Sequence, residues 1–133
     1  MKLSTLAQNH FKVPRRVGTL DRKGKFVGFG SVWSIDRQES IHIYLSIEET
    51  SKQFLDFRFK AASCWAMLAV GSYLGEQLLD SCLPIDENAI ENYLINDLEL
   101  PPHKWHCARM AVNALKIAVQ EYQNKQNAKM LNS

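Results

Sequence analysis

Cysteine is scarce in this 133-residue chain, which has only three. An odd count of that size excludes a framework of paired disulfides and suits a reducing compartment. Long apolar runs are missing too. No segment approaches the ~20 consecutive apolar residues of a spanning helix. The opening MKLSTLAQNHF has no apolar stretch of the kind a secretory signal needs. Nor is there an excess of either charge. Sixteen Lys and Arg against fourteen Asp and Glu leave +2, too little to argue for nucleic acid or an anionic membrane. Arg15-Arg16 and Arg22-Lys23-Lys25 read as solvated surface. Gly24, Gly28 and Gly30 are not followed by a helical pattern, so no nucleotide-binding loop is indicated. Repeats and low-complexity segments are absent. These absences lead to the expectation of one cytoplasmic domain over residues 1–125, with a polar tail at 126–133 that frays after Tyr122.

What is present is a change of period partway along the chain. Ile41, Ile43, Leu45 and Ile47 alternate with His42, Tyr44 and Ser46, which predicts a half-buried strand. A polar stretch, Glu48 to Gln53, turns the chain. Leu55, Phe57, Phe59 and Ala61 then alternate with Asp56, Arg58 and Lys60, completing a hairpin. The glycine-punctuated segment from Lys25 to Trp33 predicts a third strand. After Cys64 the spacing becomes helical. Met67, Leu68, Gly71, Leu74, Gly75 and Leu78 share one face, and the two glycines four apart would admit another backbone. A shorter helix is expected over Asp86 to Leu98, with Asp86 as its N-cap. A long helix follows the Pro101-Pro102 break, from Trp105 to Tyr122, with a buried stripe of Ala108, Ala111, Val112, Leu115, Ala118, Val119 and Tyr122. Strands followed by helices imply an α+β fold, a three-stranded antiparallel sheet with helices packed on one face.

Cys64 and Cys107 each stand where one of these helices begins. A thiol there faces unpaired backbone N–H groups and the positive end of the helix dipole, which favours thiolate. Side-by-side packing of the two helices would bring both thiols to one end of the domain. Tetrahedral zinc takes four N, S or O ligands. Cys64, Cys107 and His106 supply three, and Asp36 in the loop SIDRQES is the expected fourth. The bland alternative is that both cysteines are buried, inert residues. Cys82 lies eighteen residues past Cys64 along a mostly helical segment, at about 1.5 Å per residue, and is read as structural. His10 and His42 are expected to be surface or strand polar residues, and His103 to be exposed.

These segments resemble the IscU/NifU-type iron–sulfur cluster assembly scaffolds. NHFKVPRRVGTLD is similar to that family's opening, FRFKAASCWA to the segment around its second cysteine, and LELPPHKWHCARMAVNALKIAVQEY to its Leu-Pro-Pro-(x)-Lys-(x)-His-Cys segment. The resemblance covers roughly residues 3 to 125. It implies that Asp36, Cys64, His106 and Cys107 hold zinc or a [2Fe–2S] cluster. It also implies that a cysteine desulfurase delivers sulfur, and that a chaperone and co-chaperone pair reads Leu100, Pro101, Pro102, His103 and Lys104. A second scaffold subunit is a partner expected of a divergent paralogue that acts by binding. The family's first cysteine, two residues before its Asp, falls on Ser34, which cannot carry a persulfide. The glycines flanking the second cysteine are replaced by Ser63 and Trp65. Three readings follow: a scaffold or carrier, a divergent paralogue that acts by binding assembly partners, and a zinc-assisted sulfurtransferase.

Overall fold

A computed structural model describes residues 4–62 and 64–131. The alternating segment forms the central strand β2 (Glu39–Ile47), with Ile41, Ile43, Leu45 and Ile47 all fully buried. Strands β1 (Val27–Ser34) and β3 (Phe54–Ala62) flank it in an antiparallel sheet of order β1-β2-β3. The register shifts between Ser46 and Ile47, so that Phe54 pairs with Ile47 and Phe57 with Leu45. The extra residue turns Leu55 outward, where it is exposed, and Phe54 takes the buried place expected for it.

Among the described residues there are also five helical segments: α1 (Thr5–Lys12), α2 (Trp65–Leu78), α3 (Glu87–Asp97), a 3₁₀ turn (Pro102–Lys104) and α4 (Trp105–Leu131). Asp86 caps α3 as expected, its carboxylate accepting from Ala89 N at 3.1 Å. Helices α2 and α4 lie on the same face of the sheet, α2 over β3 and α4 over β1. Gly71 and Gly75 admit aromatic rings, not another backbone. A Cβ at Gly71 would stand 2.4 Å from the Phe59 ring, and one at Gly75 would stand 2.6 Å from Phe57. Gly28 and Gly30 instead permit close backbone approach, because a Cβ would lie 2.0 Å from the Ala118 carbonyl oxygen of α4 at Gly28 and 2.1 Å from that of Ala114 at Gly30.

Two further expectations differ from the structure. His10 is buried, with its Nδ1 2.7 Å from Ser72 Oγ and its Nε2 3.4 Å from a Glu76 oxygen. It ties α1 to α2, and α1 itself carries too short an apolar stripe to stand out in the sequence. The described residues beyond Tyr122 are helical, and α4 continues to Leu131. Lys125 Nζ donates to the carbonyls of Gly24 and Val27, and Gln126 Nε2 donates to that of Lys25. These bonds fasten the last turns of the helix to the entry of β1. The buried stripe of α4 is as expected from Ala108 to Tyr122.

Candidate metal centre

The β1–β2 hairpin closes with Ser34 opposite Glu39 and a four-residue turn over 35–38. Position 39 shares the inward parity of Ile41 and Ile43, so its side chain enters the face covered by helices. Glu39 is only 7% exposed. The first turn of α4 meets it there. Pro101 and Pro102 prevent an earlier helix start, and Trp105 Nε1 donates to Leu100 O at 2.9 Å, which holds the entry to α4. His106 and Cys107 follow at once.

His106 Nε2 donates to Glu39 Oε2 at 3.1 Å. The Cys107 thiol lies 3.8 Å from the same oxygen and 3.6 Å from His106 Nε2. The ligand atoms of Glu39, His106 and Cys107 all fall within 4.8 Å of one another. Cys64 is the N-cap residue of α2, its thiol makes no capping bond, and it is hydrogen-bonded to the Cys107 thiol. The structure therefore brings Cys64, His106 and Cys107 to one end of the domain.

The carboxylate beside the imidazole and the thiol is one that the sequence reading does not single out. Asp36 is exposed at the tip of the hairpin turn, and among the described residues it is Glu39 that joins His106 and Cys107. A signal was available, since 39, 41 and 43 share one parity and a charged residue on the buried side of a strand needs a partner. Cys82 is exposed beside Gln53 and outside the group, so it is not a core cysteine. His103 is exposed, as expected. His42 is half-buried on the outer face, stacked on Phe29 at 5.9 Å.

The electrostatics differ from the helix-dipole expectation. The Cys107 pKa is pushed up, first by the hydrogen bond with Cys64, then by burial and by the negative field of Cys64 and Glu39, against a smaller lowering by Lys104. Crowded donors with one imidazole for company favour the protonated thiol. A cation would supply the missing counter-charge and displace that proton. One thiol, one imidazole and one carboxylate within 4.8 Å of one another are donors of the types that zinc and iron accept, and the Cys64 thiol lies beside Cys107.

Of the segment Leu100 to Lys104, Leu100 is buried, Pro101 and Lys104 are half-buried, and Pro102 and His103 are exposed. Trp33, Ile35 and Trp105, on the two elements that frame the centre, are also exposed.

A family model described as the NifU-like N terminal domain matches residues 3–129. The iron-sulfur cluster assembly scaffold protein IscU of Haemophilus influenzae is 32% identical over 127 residues, covering 95% of this chain and 99% of its own. The iron-sulfur cluster assembly protein IscU of Plasmodium falciparum is 34% identical over 122 residues, covering 89% and 72%. The crystal structure of a nitrogen-fixing NifU-like protein (N-terminal) from Brucella abortus matches the fold with a TM-score of 0.62, over 92% of this chain and 94% of that one, at 16% identity. With nearly its whole length matched and the fold in agreement, the chain belongs to the NifU-like N-terminal domain family.

Proposed function

We propose that this chain is a non-enzymatic member of an iron–sulfur cluster assembly system. In this reading it holds iron, a [2Fe–2S] cluster or zinc on Cys64, His106, Cys107 and one carboxylate. The observation that carries the reading is the meeting of Glu39, His106 and Cys107 within 4.8 Å, with the thiol of Cys64 beside that of Cys107. The names of the relatives, assembly proteins and scaffolds, agree with it. Glu39 replaces Asp36 in the proposed ligand set because it is buried against His106, whereas Asp36 is exposed.

This reassignment moves the family's first cysteine position. Counting two residues back from Glu39 reaches Arg37, not Ser34. Neither residue can accept a persulfide, so sulfur from a desulfurase would have to be received by Cys64 or Cys107. Two thiolates with an imidazole and a carboxylate hold a cluster less firmly than a site richer in thiolates, because the oxygen and nitrogen donors are harder. Release to a chaperone and co-chaperone pair through Leu100 to Lys104 belongs to the same reading, as does pairing with a second scaffold subunit. With Leu100 buried, such a pair would meet Pro102 and His103 first.

The test is anaerobic reconstitution with iron, sulfide and a cysteine desulfurase, followed by absorption spectroscopy and metal analysis. Cluster bands that vanish in Cys64→Ala and Cys107→Ala support a scaffold or carrier. Zinc bound through the same cysteines, with no cluster bands, supports the divergent paralogue that acts through partners. Metal content unchanged in both variants would refute the site.

A further inference from the structure

The two outer edges of the sheet are treated differently. Strand β3 is shielded from Phe54 to Phe59. Gly18 N donates to Phe59 O, Phe59 N donates to Arg16 O, and Phe54 N donates to Ser81 O. Arg58 Nη1 donates to Phe57 O as well. The edge of β1 is shielded over only half its length. Lys125 donates to Val27 O at 2.8 Å and Glu121 accepts from Phe29 N at 2.7 Å. Strand geometry aims the backbone groups of alternate residues the same way. Ser31 and Trp33 therefore turn theirs outward like Val27 and Phe29, and among the described residues nothing caps them. Both residues are exposed.

The surface beside this open stretch is a groove between β1 and α4, lined by Arg22, Phe29, Ser31, Ile117, Gln120 and Asn124 among others. Its charges cancel, with Arg22 3.7 Å from Glu121. Two uncharged amides, the half-exposed Ile117, Phe29, Gly30 and Ser31 make up the remainder. A neutral groove does not select an acidic or basic partner, and it does not repel itself.

We infer that the open half of β1 pairs with the same strand of a second copy of this chain, making one sheet of six strands. A two-fold axis through Val32 sets Ser31 opposite Trp33 of the partner copy and Trp33 opposite its Ser31. Each of these two pairs exchanges two N–H···O=C bonds. Trp33 then lies across the neighbouring strand on the outer face, and the two Ile117 side chains approach across the seam on the helical face. Lys125 and Glu121 end the pairing at Phe29, which limits it to this short stretch. The union is weak and concentration-dependent.

Sedimentation of the full chain across about a hundredfold range of concentration tests it by mass action. The average mass is expected to rise from one chain towards two. Ser31→Pro removes an outward N–H and leaves the β1–β2 ladder intact. Ile117→Lys puts like charges across the seam from an exposed helical position, without touching the strand. Both are expected to hold the mass at one chain, and amide exchange at Ser31 and Trp33 should slow with concentration only in the parent. A single-chain mass throughout, or a dimer unchanged in both variants, overturns the proposal.

Discussion

Glu39 and His106, 67 residues apart in sequence, meet at 3.1 Å where the first residue of β2 faces the first turn of α4. The pair links the closing of the hairpin to the start of the long helix, and Cys107 shares the same carboxylate oxygen. A buried carboxylate beside an imidazole and two thiols is an arrangement that a cation stabilises.

The position of the third thiol can be probed by restoring one. Arg37 stands two residues before Glu39 in the exposed turn, while Ser34 sits opposite Glu39, its Oγ accepting from Arg37 N at 3.4 Å. Arg37→Cys is expected to lengthen cluster lifetime and restore persulfide acceptance more than Ser34→Cys. The check is to follow cluster absorbance and sulfur transfer in both variants under identical anaerobic conditions. A gain confined to Ser34→Cys would return the first cysteine position to Ser34.

Close approach through glycine predicts a graded stability cost. At Gly71 an added methyl meets the edge of the Phe59 ring, which can shift slightly, so Gly71→Ala should cost about 1–3 kcal/mol. At Gly30 the obstacle is the Ala114 carbonyl in the α4 backbone, and the cost should reach or exceed about 3 kcal/mol. Urea midpoints of the two variants give the comparison, with Gly30→Ala expected to be the less stable.

Burial of His10 predicts a pH dependence. Desolvation lowers its pKa, Glu76 opposes that, and Arg15 adds to the lowering. Ser72 and Tyr73 also face the ring, by hydrogen bond and edge-on contact. The folded pKa thus lies below the unfolded value of about 6.5. Its stabilising contribution is complete above that value and declines as pH falls through it, because the unfolded chain takes up the proton first. The decline continues until the folded pKa is passed. His10→Gln should flatten the fall in urea midpoint between about pH 7 and about pH 5. Parallel curves for variant and parent would remove His10 as the cause.

Much of this architecture is legible in residue order. The period of two at 41–47 and the stripe from Ala108 to Tyr122 express burial directly, so β2 and α4 follow from them. The thiols and His106 were visible because capping positions and prolines are local features. What escaped were properties set at a distance. Asp36 and Glu39 look equivalent until the hairpin register puts one at the tip and the other inside. The exchange of Phe54 for Leu55 depends on a shift in strand pairing. His10 reads as a surface residue because its partners Ser72 and Glu76 lie over sixty residues away. Lys125 likewise turns a polar tail into an anchored helix by reaching the loop before β1.

The most direct measurement is the metal content of the purified chain and four variants after identical anaerobic loading with zinc and then with iron. About one zinc per chain is expected, held by four donors. Cys64→Ala and Cys107→Ala should abolish tight binding, and Glu39→Ala should weaken it at least about tenfold, the usual scale for losing a supporting carboxylate. Asp36→Ala should bind as the parent does. Retention of metal by Glu39→Ala together with its loss from Asp36→Ala would contradict the centre described here.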